Sequence, residues 1–178
     1  MKTGFFFLLL LAGCTSGKQD ASTPAAEPAD TGLYSVQLPS TTLSLRQWDS
    51  TVNLMHTLGK PLEEKTWRPG KNSDTHAGAF IKRLRFPGLK LQLYSPPQNG
   101  RQFWVQEIIL TDSTYRTSRS VTLGDEWQKV QQAYPSLQEF PGENENMYYV
   151  ADVGYEKSIE MEFAGNRLIR LRMYYMMP

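Results

Sequence analysis

The side chains that could carry out acid–base or metal chemistry are few in this sequence and widely spaced. Its two histidines are His56, in a segment with helical spacing, and His76, in a polar stretch where Asp74-x-His76 could supply two metal ligands. No third ligand lies nearby in the chain, whereas zinc sites in proteins use at least three protein ligands. We therefore expect no metal site, with His56 on a helix surface and His76 in a mobile loop over residues 68–79.

Carboxylates and hydroxyls are plentiful, but none falls in a known catalytic pattern. The sequence has no G-x-S-x-G elbow, no H-E-x-x-H pair and no glycine-rich phosphate loop. Neighbouring carboxylates occur at Glu63-Glu64 and at Glu160-x-Glu162, as glycoside hydrolysis would require. The second pair faces two arginines of the next predicted strand, so cross-strand charge pairing accounts for it. We expect a protein that is not an enzyme and that holds no cofactor.

The only cysteine, Cys14, ends a short apolar run near the start of the chain. Lys2, the apolar run and the small Ala12-Gly13 pair form the parts of a secretory signal, which is too short to span a bilayer as a helix. The stretch Leu-Leu-Ala-Gly-Cys resembles the lipobox of bacterial lipoproteins. This resemblance implies that residues 1–13 are a signal peptide and that Cys14 becomes the lipid-acylated first residue of the mature chain. The alternatives are a soluble secreted protein with a leftover thiol, or a cysteine that serves as a small buried core residue.

A lipid-modified Cys14 leaves no thiol for a disulfide, a zinc site or a nucleophile. Several acyl chains would hold the protein stably at a membrane, where one chain would be marginal. We expect the cell envelope as its location, and the outer membrane in preference to the inner one, because Thr15 follows the cysteine as in the outer-membrane sorting class. Without Lys2, the chain carries 18 basic and 18 acidic residues, so its charge predicts no nucleic-acid partner.

From Thr15 to Gly32 the chain has no large apolar side chain. Such a segment cannot bury enough surface to offset its ordering entropy. We expect residues 14–33 to form a disordered, lipidated tether with a coil reach of about 20–25 Å. Residues 34–178 then form a single domain of ordinary length.

Two segments of this domain have the capping residues and the spacing of short helices. The first is RQWDSTVNLMHTLGKP, with Asp49 or Ser50 as N-cap and a stop at Gly59 and Pro61. The second is TLGDEWQKVQQAYPS, with Asp125 as N-cap. The expected apolar stripes are Val52, Met55 and Leu58 in the first helix, and Trp127, Val130 and Tyr134 in the second.

Behind each helix, the spacing of apolar residues changes to the period of two that is typical of strands. Three strands are predicted after the first helix, in AFIKRLRF, LKLQLY and QFWVQEIIL, and three after the second, in MYYVADV, KSIEMEF and RLIRLRMYY. We therefore predict an α+β fold of two tandem units, about 43–112 and 119–176. Each unit is one helix and a three-stranded antiparallel meander, with the helices on one face of a shared sheet. A chance alternation of short elements is the alternative.

The helix segments also carry a family resemblance. Leu58-Gly59-Lys60-Pro61, and Leu123-Gly124-Asp125-Glu126-Trp127 with Val130 and Tyr134, resemble the helix segment of beta-lactamase-inhibitor-like domains. Those domains also occur in the small SmpA/OmlA-type lipoproteins that accompany outer-membrane barrel assembly. The resemblance spans most of residues 43–175 and implies a helix-on-sheet domain that binds another protein, often through its exposed sheet face. This chain departs from the single-unit lipoproteins in having two units.

In this topology, the polar strand positions share one uncovered face of the sheet, with the arginines and tyrosines that protein interfaces favour. The predicted partner-binding residues are Arg83, Arg85, Lys90, Tyr94, Arg170, Arg172 and Tyr174, with Gln92, Glu160 and Glu162 on the same face. An ordinary solvated sheet face is the alternative. The sequence thus predicts a lipid-anchored, non-enzymatic envelope protein that binds a protein partner.

Two other functions stay open at this stage. One is a small-molecule or cell-wall-fragment binding module, with a pocket between the helices and the sheet lined by Trp48, Trp67 or Trp127. The other is a hydrolase whose site follows no known motif. A deep apolar pocket with convergent polar groups would favour either of these, whereas an Arg/Tyr face without a pocket would favour protein binding.

Overall fold

The computed structural model describes residues 33–49, 53–70, 76–141, 147–153 and 156–176. The predicted signal peptide, Cys14 and the predicted tether up to residue 32 lie outside the described residues. Within the described ranges, no helix is both long enough and apolar enough to cross a membrane.

The described residues form eleven strands and two short helices. In chain order the elements are β1 (Ser35–Gln37), β2 (Thr42–Ser44), α1 (Leu54–Leu58), β3 (Glu63–Trp67), β4 (Phe80–Phe86), β5 (Leu89–Ser95), β6 (Trp104–Leu110), β7 (Arg116–Thr117), α2 (Trp127–Ala133), β8 (Gln138–Pro141), β9 (Met147–Val153), β10 (Lys157–Ala164) and β11 (Arg167–Tyr175). Helices and antiparallel strands are both present, so the α+β class is confirmed.

The strands form two sheets. A small sheet has the order β2-β1-β7, and a large sheet has the order β3-β4-β5-β6-β11-β10-β9-β8. Every described strand pair in the large sheet is antiparallel. The four strands that follow α1 meet the four that follow α2 where β6 pairs with β11.

Each meander therefore has four strands rather than the predicted three. The strands that the prediction missed, β3 and β8, are the two edges of the large sheet. β3 reads Glu-Glu-Lys-Thr-Trp and has four exposed residues, so it lacks the alternation that marks a half-buried strand. β8 has four residues and ends in Pro141, a residue that suits an edge position. The small sheet was also not predicted, because strands of two or three residues are too short to show a period.

Alternation along the strands separates the two faces of the large sheet. Leu89, Leu91 and Leu93 of β5 are buried at 2 % exposure or less, whereas Lys90 between them is exposed. The three leucines share one core cluster with residues of both helices and of the small sheet, among them Leu54, Val130, Val36 and Leu43. We call the side of the sheet that carries this core the covered face and the opposite side the open face.

The first helix differs in detail from its prediction. Its described part begins at Leu54, with Asn53 as N-cap accepting a hydrogen bond from the backbone N–H of His56 at 3.4 Å. Leu54 is buried and Met55 is 49 % exposed, so the apolar stripe passes through Leu54 and Leu58, one turn apart, and not through Met55. The predicted Ser50 and Val52 lie outside the described residues.

The second helix confirms its apolar stripe but not its cap. Val130 and Tyr134 are fully buried, and the Trp127 ring packs edge-on against Phe163 with ring centroids 5.1 Å apart. The N-cap position is Glu126, whose side chain makes no capping hydrogen bond. The carboxylate of Asp125, the predicted cap, instead accepts from the N–H of Thr122 and from Lys129 Nζ, each at 2.8 Å.

The chain enters both helices through the same backbone hydrogen-bond pattern. The bonds to β6 and the residue before it are Arg46 N to Val105 O, Val105 N to Gln47 O, and Asp49 N to Phe103 O. Those to β11 and the residue before it are Gly124 N to Leu168 O, Leu168 N to Asp125 O, and Trp127 N to Asn166 O. The helix-side positions differ by 78 residues (46 to 124, 47 to 125, 49 to 127) and the strand positions by 63 (105 to 168, 103 to 166). Arg46 and Gly124 also share a positive φ, at 64° and 88°. The two halves of the sheet thus hold their helices by matching geometry.

Candidate interaction surface

The strand register arranges the open face in rows that run across the sheet. One row is aromatic and apolar: Trp67, Ile81, Tyr94, Trp104 and Trp48 are successive cross-strand partners. The next row is Lys65, Arg83, Gln92, Glu107, Tyr174 and Ser158, and the third is Glu63, Arg85, Lys90, Ile109, Arg172 and Glu160. Aromatic side chains and charges therefore lie side by side on this face.

The aromatic row is partly a small core of its own. Tyr94 stacks on Trp104 at 5.1 Å between ring centroids, and Trp104 contacts Trp48 at 5.2 Å. The turn that begins at His76 covers the middle of the row, because the His76 ring meets Tyr94 edge-on at 5.8 Å. Its Nε2 also lies 2.8 Å from Gln106 Nε2. The segment predicted as a mobile loop thus contributes at least one residue with fixed contacts on the open face; residues 71–75, with Asp74, lie outside the described residues.

The seam between the halves of the sheet is bridged by charge. Arg172 of β11 contacts Glu107 of β6 through Nε at 2.5 Å and Glu160 of β10 through a terminal nitrogen at 3.3 Å. Tyr174 donates its hydroxyl to Glu160 at 2.9 Å. Glu162 reaches Arg170 at 3.8 Å, so the cross-strand pairing predicted for Glu160 and Glu162 is confirmed.

Two pKa shifts follow from these contacts. Burial opposes the charge on Arg172, but hydrogen bonding and attraction from Glu107, supported by Glu160, outweigh it and raise the Arg172 pKa. Burial raises the pKa of the Tyr174 phenol, and its hydrogen bond to the Glu160 carboxylate raises it further. Both groups therefore keep their protons at neutral pH, with Arg172 charged and Tyr174 neutral.

A second cluster on the open face is basic. Lys65, Arg83, Arg85 and Lys90 come from the three adjacent strands β3, β4 and β5. Lys65 lies directly opposite Arg83, and Arg85 lies directly opposite Lys90. We call these four side chains the basic cluster. Like charges in directly opposed positions destabilise a sheet, so the cluster is not explained by stability.

The basic cluster lines an open groove of about 940 Å³, whose other walls include Glu63, Glu107, Asp112, Ile109 and Leu62. Arg85 holds Glu63 at 2.8 Å; this hydrogen bond and charge lower the Glu63 pKa and raise the Arg85 pKa. Asp112 accepts from the backbone N–H of Thr114 at 2.8 Å, and its hydrogen bonds to that residue lower its pKa. Glu63 thus has a cationic partner, whereas the hydrogen bonds to Asp112 come from uncharged groups and leave its negative charge in the groove.

A smaller cavity of about 370 Å³ lies beside the groove, lined by His76, Gln92, Gln106, Glu107, Arg172, Tyr174, Tyr175 and Met176. Gln92 donates to Gln106 at 3.1 Å, so most of its polar lining is linked by hydrogen bonds. No group of three or more metal-binding side chains occurs among the residues that the structure describes.

The structure brings all the predicted binding residues onto the open face, and all but one of them are at least partly accessible. Arg83, Lys90 and Arg170 are exposed, and Arg85, Arg172 and Tyr174 are half-buried. Tyr94 lies on the same face but is only 8 % exposed. It is covered because it stacks on Trp104 and meets the His76 ring edge-on, so it packs within this face.

The three tryptophans that were predicted to line a pocket between helices and sheet do not lie together. Trp127 packs in the core of the covered face, whereas Trp48 and Trp67 lie in the aromatic row of the open face. Strand alternation places them on opposite sides of the sheet. His56 is exposed on α1, on the covered side, and is likewise separated from His76 by the sheet.

Several residues of the open face were missed from the sequence. Lys65 was missed with its edge strand β3. Glu107 and Gln106 lie at a register shift in β6, where a bulge breaks the alternation that sequence patterns rely on. Only the adjacent Gln and Glu in the run Val-Gln-Glu-Ile-Ile-Leu signalled polar positions within an apolar strand.

Comparison with known proteins identifies no family. No protein-family model matches the chain, and no curated protein matches it. Among solved structures, it is similar to an extracellular protein containing a SCP domain from Bacillus anthracis str. Ames, with a TM-score of 0.40 and 11 % sequence identity. The match covers 70 % of this chain and 42 % of that chain.

Proposed function

We propose that this protein is a lipid-anchored, non-enzymatic component of the bacterial cell envelope that binds a protein partner through the open face. The observation that carries the proposal is the asymmetry of the large sheet. Both helices and the small sheet pack on the covered face, and no other described helix or strand packs on the open face. The open face instead presents exposed arginines beside aromatic side chains, and both residue types are enriched in protein interfaces.

We also infer that the domain consists of two tandem units, each a helix followed by a four-stranded meander. The matching hydrogen bonds before α1 and α2 support this inference, since chance would not reproduce three bonds at constant offsets. Joining two units through β6 and β11 doubles the width of the sheet. The open face is then wide enough for a protein partner, which a three- or four-stranded sheet would offer less readily.

The anchor places this surface near a membrane. The lipobox at Leu10–Cys14 and the polar segment that follows it support acylation at Cys14 and a tether of about 20–25 Å. The protein would then search for its partner within that distance of the membrane, with the outer membrane as the proposed location.

Charge reversal on the open face tests the proposal. We would capture crosslinked partners from native membranes with the wild-type chain and with an Arg83→Glu, Arg170→Glu variant, which changes one exposed arginine in each half of the sheet. Arg116→Glu is the matched control, because Arg116 is exposed on the small sheet. We expect the double variant to lose its partners and the control to keep them. Equal recovery of the same partners by all three chains would refute binding through the open face.

A binding site for a small polar molecule is the second candidate. The observation in its favour is the cavity of about 370 Å³ at His76, Gln106 and Arg172. Its lining combines these polar side chains with the aromatic ring of Tyr174. Calorimetric titration of the protein with soluble cell-wall fragments tests it. Heat of binding that a Gln106→Leu variant abolishes would support this function over the first.

A further inference from the structure

The four side chains of the basic cluster are placed where they repel one another. Lys65 opposes Arg83, and Arg85 opposes Lys90, so the Cβ atoms of each pair lie about 4.5–5.5 Å apart. Arg83 and Arg85 are two positions apart on β4 and therefore point to the same face. The cluster thus concentrates four positive charges over three neighbouring strands.

The charges of this cluster are only partly compensated within the described part of the chain, where Glu63 also attracts Lys90, and Arg83 donates to Gln92 Oε1 at 2.8 Å. Arg85 pairs with Glu63, but Lys65, Arg83 and Lys90 make no salt bridge with any residue that the structure describes. The cations of Lys65 and Arg83 instead lie 6.0 Å and 4.9 Å from the Trp67 ring centroid. Of the nearby carboxylates, Glu107 is held by Arg172 and Asp112 by Thr114.

The groove beside the cluster also has apolar contact points. Leu62 is 57 % exposed at its rim, and half-buried Ile109 forms part of its floor. A compact inorganic anion would use the charges and leave these two side chains without a role. A peptide segment that combines carboxylates with an aliphatic side chain would use both.

From this juxtaposition we propose that the groove binds an acidic peptide segment of the partner protein, with its carboxylates on Lys65, Arg83 and Lys90 and an aliphatic side chain against Leu62 and Ile109. This inference rests on the proposed function, since it names the chemistry of the partner for the same face. Charge complementarity selects the acidic sequence, and the apolar rim selects a peptide over a free anion.

The test uses fluorescence anisotropy with a fluorescein-labelled peptide, Glu-Asp-Glu-Leu-Asp-Glu-Leu-Glu, and the full chain. We expect saturable binding that weakens at least tenfold in an Arg83→Gln, Lys90→Gln variant and several-fold in Leu62→Ser. The control is Lys60→Gln, Arg116→Gln, which removes two exposed charges outside the groove and leaves binding unchanged. A peptide with Gln and Asn in place of Glu and Asp should not bind.

Thermal unfolding separates a binding role from a structural one. Because Lys90 is opposed by Arg85, we expect Lys90→Gln to raise Tm by about 1–3 °C while it weakens peptide binding. A fall in Tm on the same substitution would show that Lys90 stabilises the fold and would count against the proposal.

Three results would overturn the inference. The first is no binding of the acidic peptide, or equal binding by the groove variant. The second is displacement of the peptide by equimolar inorganic pyrophosphate with no effect of Leu62→Ser, which would make the groove a small-anion site. The third is groove-dependent binding of phosphatidylglycerol vesicles without peptide binding, which would make it a membrane contact.

Failure of this inference is distinguishable from failure of the proposed function. If the captured partner is lost with Arg170→Glu alone and kept by the Arg83→Gln, Lys90→Gln variant, the open face binds a partner but the groove does not. If neither face variant changes partner capture, the proposed function fails, whatever the peptide result.

Discussion

Arg172 offers a quantitative test of how the two halves of the large sheet are held together. It joins Glu107 on one side of the seam to Glu160 on the other, at 2.5 Å and 3.3 Å. Replacing it with Met keeps most of its volume and removes its charge. Glu107, whose side chain is 14 % exposed, then loses its counter-charge within a poorly solvated site.

The expected loss follows from this burial. Breaking a fully buried pair costs about 3–5 kcal/mol, and an exposed pair contributes at most about 1 kcal/mol. The Arg172 side chain is 33 % exposed, which places Arg172→Met between these limits, at about 1.5–2.5 kcal/mol. For a domain of this size, that corresponds to a fall in Tm of about 3–10 °C.

Urea unfolding followed by tryptophan fluorescence measures this loss. Arg170→Met is the matched control, because its pair with Glu162 spans 3.8 Å and its side chain is 53 % exposed; we expect a loss of about 0.5 kcal/mol or less. Adding Glu107→Met to Arg172→Met should recover part of the stability, since it removes the unpaired carboxylate. Equal losses for the two arginine variants, or no recovery in the double variant, would refute the view of Arg172 as the bridge across the seam.

Three further predictions concern the anchor, the core and a turn. Cys14→Ala should move the protein from the membrane fraction to the released fraction, and unchanged sedimentation with membranes would contradict the anchor. Burial raises the pKa of the Tyr134 phenol, with Thr117 and Arg119 opposing the shift, so the contribution of this phenol to the free energy of unfolding is complete below pH about 10 and is lost as the pH rises through the folded-state pKa. The urea midpoint should therefore fall less between pH 8 and pH 11 in Tyr134→Phe than in the wild-type chain. Parallel falls in both chains would argue against this assignment. Gly88 has a φ of 74°, and an added Cβ would lie 2.5 Å from Asp112 Oδ1. Gly88→Ala should therefore lower the free energy of unfolding in urea by about 2 kcal/mol. Gly124→Ala is the control and should lower it less, because the space around Gly124 is open.

The central strands and the buried face of α2 were predictable because each carries an unbroken period. Leu89, Leu91 and Leu93 alternate with polar residues, and Val130 and Tyr134 lie one turn apart. Burial of these side chains supplies most of the driving force for folding. Elements that bury such a face are therefore visible in the sequence.

The edges and the helix starts were less predictable for physical reasons. β3 is an edge strand with little to bury, so its residues show no period. Asp125 has the chemistry of a cap, but its carboxylate serves Thr122 and Lys129 instead. Only the tertiary pairing of residues 124–127 with β11 fixes where the helix begins.

Much of the polar composition of the open face was predictable, but its internal pairing was not. Alternation alone places Arg83, Arg85 and Lys90 on one side of the sheet. It does not show that Arg172 is occupied by two carboxylates or that Lys90 opposes Arg85, because these contacts depend on the register between strands. Tyr94 illustrates the same limit, since its burial comes from His76, a residue of a loop.

Photo-crosslinking from a single position tests the central claim most directly. The photoreactive residue benzoylphenylalanine would replace Thr111, which is exposed and lines the groove, in one chain and Arg116 on the small sheet in another, each expressed in native cells with the anchor intact. We predict that the chain altered at Thr111 forms a discrete crosslinked complex with another envelope protein and that the chain altered at Arg116 does not. Crosslinking from Arg116 in place of Thr111, or from neither position, would contradict binding through the open face.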